Sequence, residues 1–111
     1  MKSKFAAIAT GAVFALLQAN SVFAQDQHYN KSISMVEVPM GSCYFFQLTG
    51  VTESDPQFPG IPWFAISNTQ ANAKEMYAML LTVRANGGTL QRVLTSGATA
   101  CGAPQVLTID F

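Results

Sequence analysis

The chain has 111 residues, half of them hydrophobic, with six Lys and Arg against six Asp and Glu and a single His. So small and balanced a charge argues against a partner bound by neutralising phosphates, and the length leaves room for one domain. Two cysteines without a CxxC spacing or a His cluster make a poor zinc site or redox centre.

Lys2 and Lys4 precede the uncharged run Phe5–Leu17, and a polar stretch then leads into Val22-Phe23-Ala24. That order predicts a cleavable secretory signal peptide over residues 1–24, with Gln25 as the new N-terminus. The apolar run is shorter than the roughly 20 residues of a spanning helix, so no membrane span is expected after cleavage. Residues 25–111 then form a single domain. They keep all six acids but only Lys31, Lys74, Arg84 and Arg92, a net charge of −2 that leaves no basic patch for nucleic acid. In an oxidising compartment, secreted or periplasmic, Cys43 and Cys101 are expected to pair. The bridge closes a loop of about 59 residues, for which chain entropy gives roughly 4 kcal/mol.

Gln25–Lys31 is polar and reads as a loose lead, and Ile33, Met35, Val36 and Val38 suggest a first strand ending at Pro39. Met40-Gly41-Ser42 is a turn. Cys43–Val51 is aromatic and β-branched, a second strand with Tyr44, Phe46 and Leu48 on one face. Pro56, Pro59, Gly60 and Pro62 make residues 52–62 a loop, and Trp63–Ser67 returns to strand composition. Asn68 or Thr69 is a candidate cap for a helix whose stripe is Ala73, Met76, Tyr77, Leu80, Leu81 and Arg84. Asn86-Gly87-Gly88 ends that helix. Thr89–Ser96 and Gln105–Phe111 read as two further strands, with residues 97–104 as the loop between them.

The fold class is therefore α+β, mainly β, with one helix between the third and fourth of five short strands. That is the order of the OB-fold, a small, partly open five-stranded barrel, and other α+β sandwiches share it.

The run Trp63–Phe111, with Trp-Phe-Ala-Ile-Ser, the helix Lys74–Leu81, the Asn86-Gly87-Gly88 break and the strand after it, resembles the C-terminal half of the B subunits of the subtilase-cytotoxin and pertussis-like toxins. It is similar also to small exported bacterial proteins with the same ending. The resemblance implies an OB-fold, a ring of identical subunits and glycan binding on the barrel surface. The toxin subunits hold sugar through polar residues near the start of the strand corresponding to Cys43–Val51, and here Val38–Ser42 offers only Ser42.

Groups for catalysis are scarce. His28 sits in the polar lead, where a solvated side chain is expected, and no GxSxG, HExxH, P-loop or GxGxxG motif occurs. Glu53 and Asp55 are the closest carboxylates. A calcium ion wants six to eight oxygens, so exposed loop charge is the preferred reading over a metal or glycosidase pair. Asp110 is expected to face water. No metal and no cofactor is expected, and the chain does not read as an enzyme.

Adjacent aromatics on a strand point to opposite faces, so either Phe45 or Phe46 must be covered by the helix, a loop or another subunit. Met79 and Val83 widen the helix's apolar arc and are expected at a homo-oligomer interface. A ligand is expected near Ser42, Tyr44, Glu53, Asp55, Phe58 and Trp63, around the second and third strands. The resulting expectation is an exported, non-enzymatic binding or assembly module, a glycan- or protein-binding subunit of a homo-oligomer. Its rival is a periplasmic or surface structural protein of the cell envelope without a small ligand.

Overall fold

The computed structural model describes residues 27–37 and 41–111. The signal peptide expected over residues 1–24 and the strand end at Val38 and Pro39 lie outside them. The described elements are β1 (Gln27–Val36), β2 (Cys43–Leu48), β3 (Phe64–Ser67), α1 (Ala73–Ala85), β4 (Thr89–Ala100) and β5 (Ala103–Asp110). The chain is mainly β, with its one described helix between β3 and β4. The sheet runs β1-β2-β3-β5-β4 and closes in a ring where β4 pairs with β1. All pairings are antiparallel except β3 with β5, which meet in parallel at Ala65 and Gln105.

Strand pairing accounts for two departures from the expected elements. The described part of the polar lead is a strand: residues from Gln27 to Ser32 pair with β4 in the unbroken register Gln27↔Leu94 to Ser32↔Thr89. Their backbone groups are satisfied by a partner distant in sequence, so no apolar alternation was needed to place them. After Ser32 β1 changes partner, pairing with β2 from Ile33↔Leu48 through a register shift between Ile33 and Met35 to Val36↔Phe46. An irregularity of this kind bends a strand and lets it serve both sides of a closed sheet.

The second departure is at residues 97–104. These form the tip of a hairpin, with Thr99 opposite Pro104 and Ala100 opposite Ala103. Cys101 (φ 52°) and Gly102 (φ 83°) are its two turn residues. Positive φ at both positions is the type I′ turn, whose twist matches that of the flanking strands.

α1 carries no side-chain cap. Asn72 occupies the N-cap position at φ 65°, and Asn68 and Thr69 lie in the preceding turn. Gln70 secures that turn: its Oε1 accepts from Ser67 N at 2.8 Å, and its Nε2 donates to Val106 O at 2.9 Å. Gly87, at φ 67°, ends the helix. The inward stripe is the buried Ala73 and Leu80 with the half-buried Met76 and Val83, while Leu81 and Arg84 face outward. It packs on Phe46 and Phe64, stacked at 5.0 Å, and on Leu48, Ile66, Leu90, Val93 and Val106. Tyr77 stacks on Tyr44 at 4.5 Å. No helix among the described residues is long and apolar enough to cross a membrane.

The expected disulfide is present. Cys43–Cys101, 58 residues apart in sequence, ties the start of β2 to the β4–β5 turn. A bridge across so long a loop removes much of the unfolded chain's freedom.

Candidate functional site

Strand alternation sets the site. Phe46 and Leu48 point from β2 into the core, so Phe45 stands on the outer face. Trp63, just before β3, meets it with ring centroids 6.3 Å apart at 77°. Ile61 from the long loop, Glu37 immediately after β1 and the Cys101-Gly102-Ala103 turn complete an open groove of about 260 Å³. Glu37 is fixed along the backbone, its N–H donating to Phe45 O at 3.0 Å. The disulfide fixes the turn.

The loop that delivers Ile61 and Trp63 is held from beneath by buried polar groups. Ser54 N donates to Ile61 O at 2.9 Å, and Ser54 Oγ lies 3.1 Å from Ile61 O and 2.7 Å from Trp63 O. His28 Nε2 is 2.7 Å from Ser54 O, and since a carbonyl only accepts, Nε2 carries the proton there. Asp55 is 2% exposed. Its Oδ1 accepts from Gln57 N and its Oδ2 from Thr95 Oγ1, both at 3.0 Å. Asp55 O accepts from Phe58 N at 2.9 Å, closing a turn that has Pro56 at its second position.

Two expectations are corrected by these contacts. Asp55 is not solvating loop charge but a buried anchor, because the ring brings β4 and its Thr95 beneath the loop. His28 is not in a solvated lead; half-buried in β1, it lies edge-on to Phe64 at 5.2 Å. Asp110 is engaged as well, its Oδ2 accepting from Arg92 Nε at 2.8 Å.

Ser, His and Asp thus gather in one place without forming a proton relay. A nucleophile must hand its proton to the base, yet Ser54 Oγ is directed at two carbonyls and His28 meets the serine's backbone. Among the described residues no group of three His, Cys, Asp or Glu is placed to hold a metal ion.

Of the residues nominated from sequence, Trp63 lines the groove. Ser42 lies at its margin, with Oγ 3.5 Å from Cys101 Sγ. Tyr44 is on the opposite face of β2, against Tyr77, and borders a smaller cleft with Gly41, Cys43 and Asn68. Glu53 accepts from Gly60 N at 3.2 Å, and Phe58 is half-buried in the loop. Phe45, Ile61 and Glu37 were not nominated. The adjacency of Phe45 and Phe46 was the available signal for the first, since one of the two had to leave the core. A wider depression of about 470 Å³ lies between Tyr29, Asn30, Gln91 and the Arg92–Asp110 pair. At the helix, Met79 is exposed whereas Val83 packs on the core.

Comparison of the chain with known protein families, with characterised proteins and with solved structures finds no match.

Proposed function

We propose that the protein is an exported, non-enzymatic binding module of OB-like architecture, whose ligand site is the Phe45–Trp63 groove. Export is the reading of the signal-like N-terminus and agrees with the Cys43–Cys101 disulfide. The strand order β1-β2-β3-β5-β4 with a helix after β3 supports the OB-like architecture. Proteins of that fold bind ligands on the face of strands 2 and 3, between the β1–β2 and β4–β5 connections.

One observation carries the reading: the outer face of β2 and the approach to β3 put two large aromatic side chains in a groove next to the β4–β5 turn, where the core has no use for them. Ligand sites are typically apolar clefts with a few placed polar groups. The test is a chemical-shift perturbation screen of the isotope-labelled protein against glycans and short peptides. Shifts centred on Phe45, Trp63 and Ala103 are expected; a complete absence of localised shifts refutes the site.

The assembly side of the reading rests on Met35, Met79, Leu81 and Leu107, each more than 40% exposed. A homo-oligomer covering part of this surface sediments above the monomer mass at micromolar concentration, and a monomer there removes this element. If only assembly is seen and the groove stays empty, the rival reading of an envelope structural protein takes its place.

A further inference from the structure

We propose that the groove selects an organic cation, an ammonium or guanidinium group, and this rests on the groove being the ligand site. The walls carry the argument. Phe45 and Trp63 stand at 77° to one another, so a ligand in the corner between them meets aromatic rings on two sides. Ring faces carry the negative lobe of the aromatic quadrupole and attract cations. Glu37, the only charged residue among the described residues that line the groove, is negative.

Among the described residues that carboxylate has no counter-ion. Among the described residues Arg92 pairs with Asp110, and none of Lys31, Lys74, Arg84 and Arg92 lines the groove. Two rings and the carboxylate of a half-buried glutamate, with no cation among the described residues beside them, form a site whose missing component is positive charge. Its volume of about 260 Å³ accommodates a charged head with its methylene stem and leaves little room for an extended oligosaccharide. The same chemistry arises from a Lys or Arg side chain of a partner polypeptide or from a quaternary ammonium such as choline.

Trp63 is the chain's single Trp, so its fluorescence reports on the groove alone. The probes are N-acetyl-arginine amide, N-acetyl-lysine amide and choline chloride, with N-acetylglucosamine as the neutral arm and sodium chloride at matched ionic strength as the control. A saturable change in Trp63 emission is expected with at least one cation and not with sodium chloride or the sugar. Preference for the amino-acid amides points to a polypeptide source, and preference for choline to a quaternary ammonium. Glu37→Gln is expected to weaken the response about tenfold, and Phe45→Leu by a similar factor, with far-UV dichroism unchanged in both. Saturation by N-acetylglucosamine alone overturns cation selectivity while leaving the groove as the binding site. No saturation by any probe overturns this inference, and the reading beneath it falls too if the shift screen is also empty. A cation response undiminished in both variants places the cation elsewhere and overturns the inference.

Discussion

Replacing Asp55 with Ala is expected to destabilise the protein by about 2–3 kcal/mol, although a carboxylate in a proline-rich loop looks dispensable. Asp55 is buried and accepts two hydrogen bonds at 3.0 Å, one from Gln57 N within its own turn and one from Thr95 Oγ1 on β4. Hydrogen bonds to a charged group contribute about 1.5–3 kcal/mol each. Part of their sum is offset because Ala no longer holds a carboxylate away from water. In a urea titration with a slope of about 1 kcal/mol/M, the midpoint falls by about 2 M, and the melting temperature drops by about 10 °C or more. Asp55→Asn keeps the acceptor for Gln57 N and is expected to cost about 1 kcal/mol. A double-mutant cycle with Thr95→Ala isolates the contact between loop and strand, with an expected coupling of about 1 kcal/mol. An Asp55→Ala protein within about 0.5 kcal/mol of the parent, together with zero coupling, would refute the claim that this residue anchors the loop.

Leu80→Ala is expected to cost about 3 kcal/mol because it opens a cavity under α1, whereas Leu81→Ala costs less than about 0.5 kcal/mol at an exposed site. Equal costs in the same titration would mean that the helix presents a different face. Reduction and alkylation of Cys43 and Cys101 should lower stability by roughly 4 kcal/mol, and a loss below about 1 kcal/mol would contradict the chain-entropy account. Gly102→Ala is expected to cost about 1 kcal/mol through backbone strain alone, since its φ is +83° and nothing lies within 4 Å of an added Cβ. A neutral result would mean that the turn relaxes.

The parts of this structure that sequence made legible are those whose signals are local. The stripe through Ala73, Met76 and Leu80, the glycine after Asn86, the aromatic second strand and the lone cysteine pair each declare themselves within a few residues or by elimination. What escaped depends on strand pairing. Gln27 to Lys31 has no apolar alternation, and becomes strand because β4 runs past it to close the ring. Gly97 to Ala100 looks like a loop, yet pairing with β5 and the positive φ of Cys101 hold it in a hairpin. The helix stripe was partly misassigned for a similar reason. Leu81 and Val83 lie on opposite flanks of it, and only the packing decides which flank is covered. At the site, two adjacent phenylalanines announced that one ring must leave the core. Glu37 could not be found, since its place in the groove is set by a turn 64 residues further along the chain. The Asp55-Pro56 dipeptide did carry a turn signal, Asp at the first position and Pro at the second, which the reading as solvating charge passed over.

The buried polar groups under the loop connect stability to the site, and Ser54 tests the connection. Its hydroxyl reaches Ile61 O and Trp63 O, the carbonyls of two residues that line the groove, and His28 holds its backbone from the other side. In Ser54→Ala the Ile61 carbonyl still receives Ser54 N, but the Trp63 carbonyl loses its hydroxyl donor, at a cost of about 1–3 kcal/mol. A purely structural hydroxyl would lower stability and leave the folded protein's groove as it was. A positioning hydroxyl also lets the Trp63 segment move, so emission from the single Trp should shift to the red in the folded variant, well below its unfolding midpoint. Ser54→Thr, which retains the hydroxyl, should restore the parental spectrum. An unshifted spectrum in a folded but destabilised Ser54→Ala protein would show that the groove is held by the disulfide-bound turn and β2 alone. A red shift reversed by Thr would show that the Ser54 hydroxyl, buried beside a His and an Asp, serves to aim an indole ring.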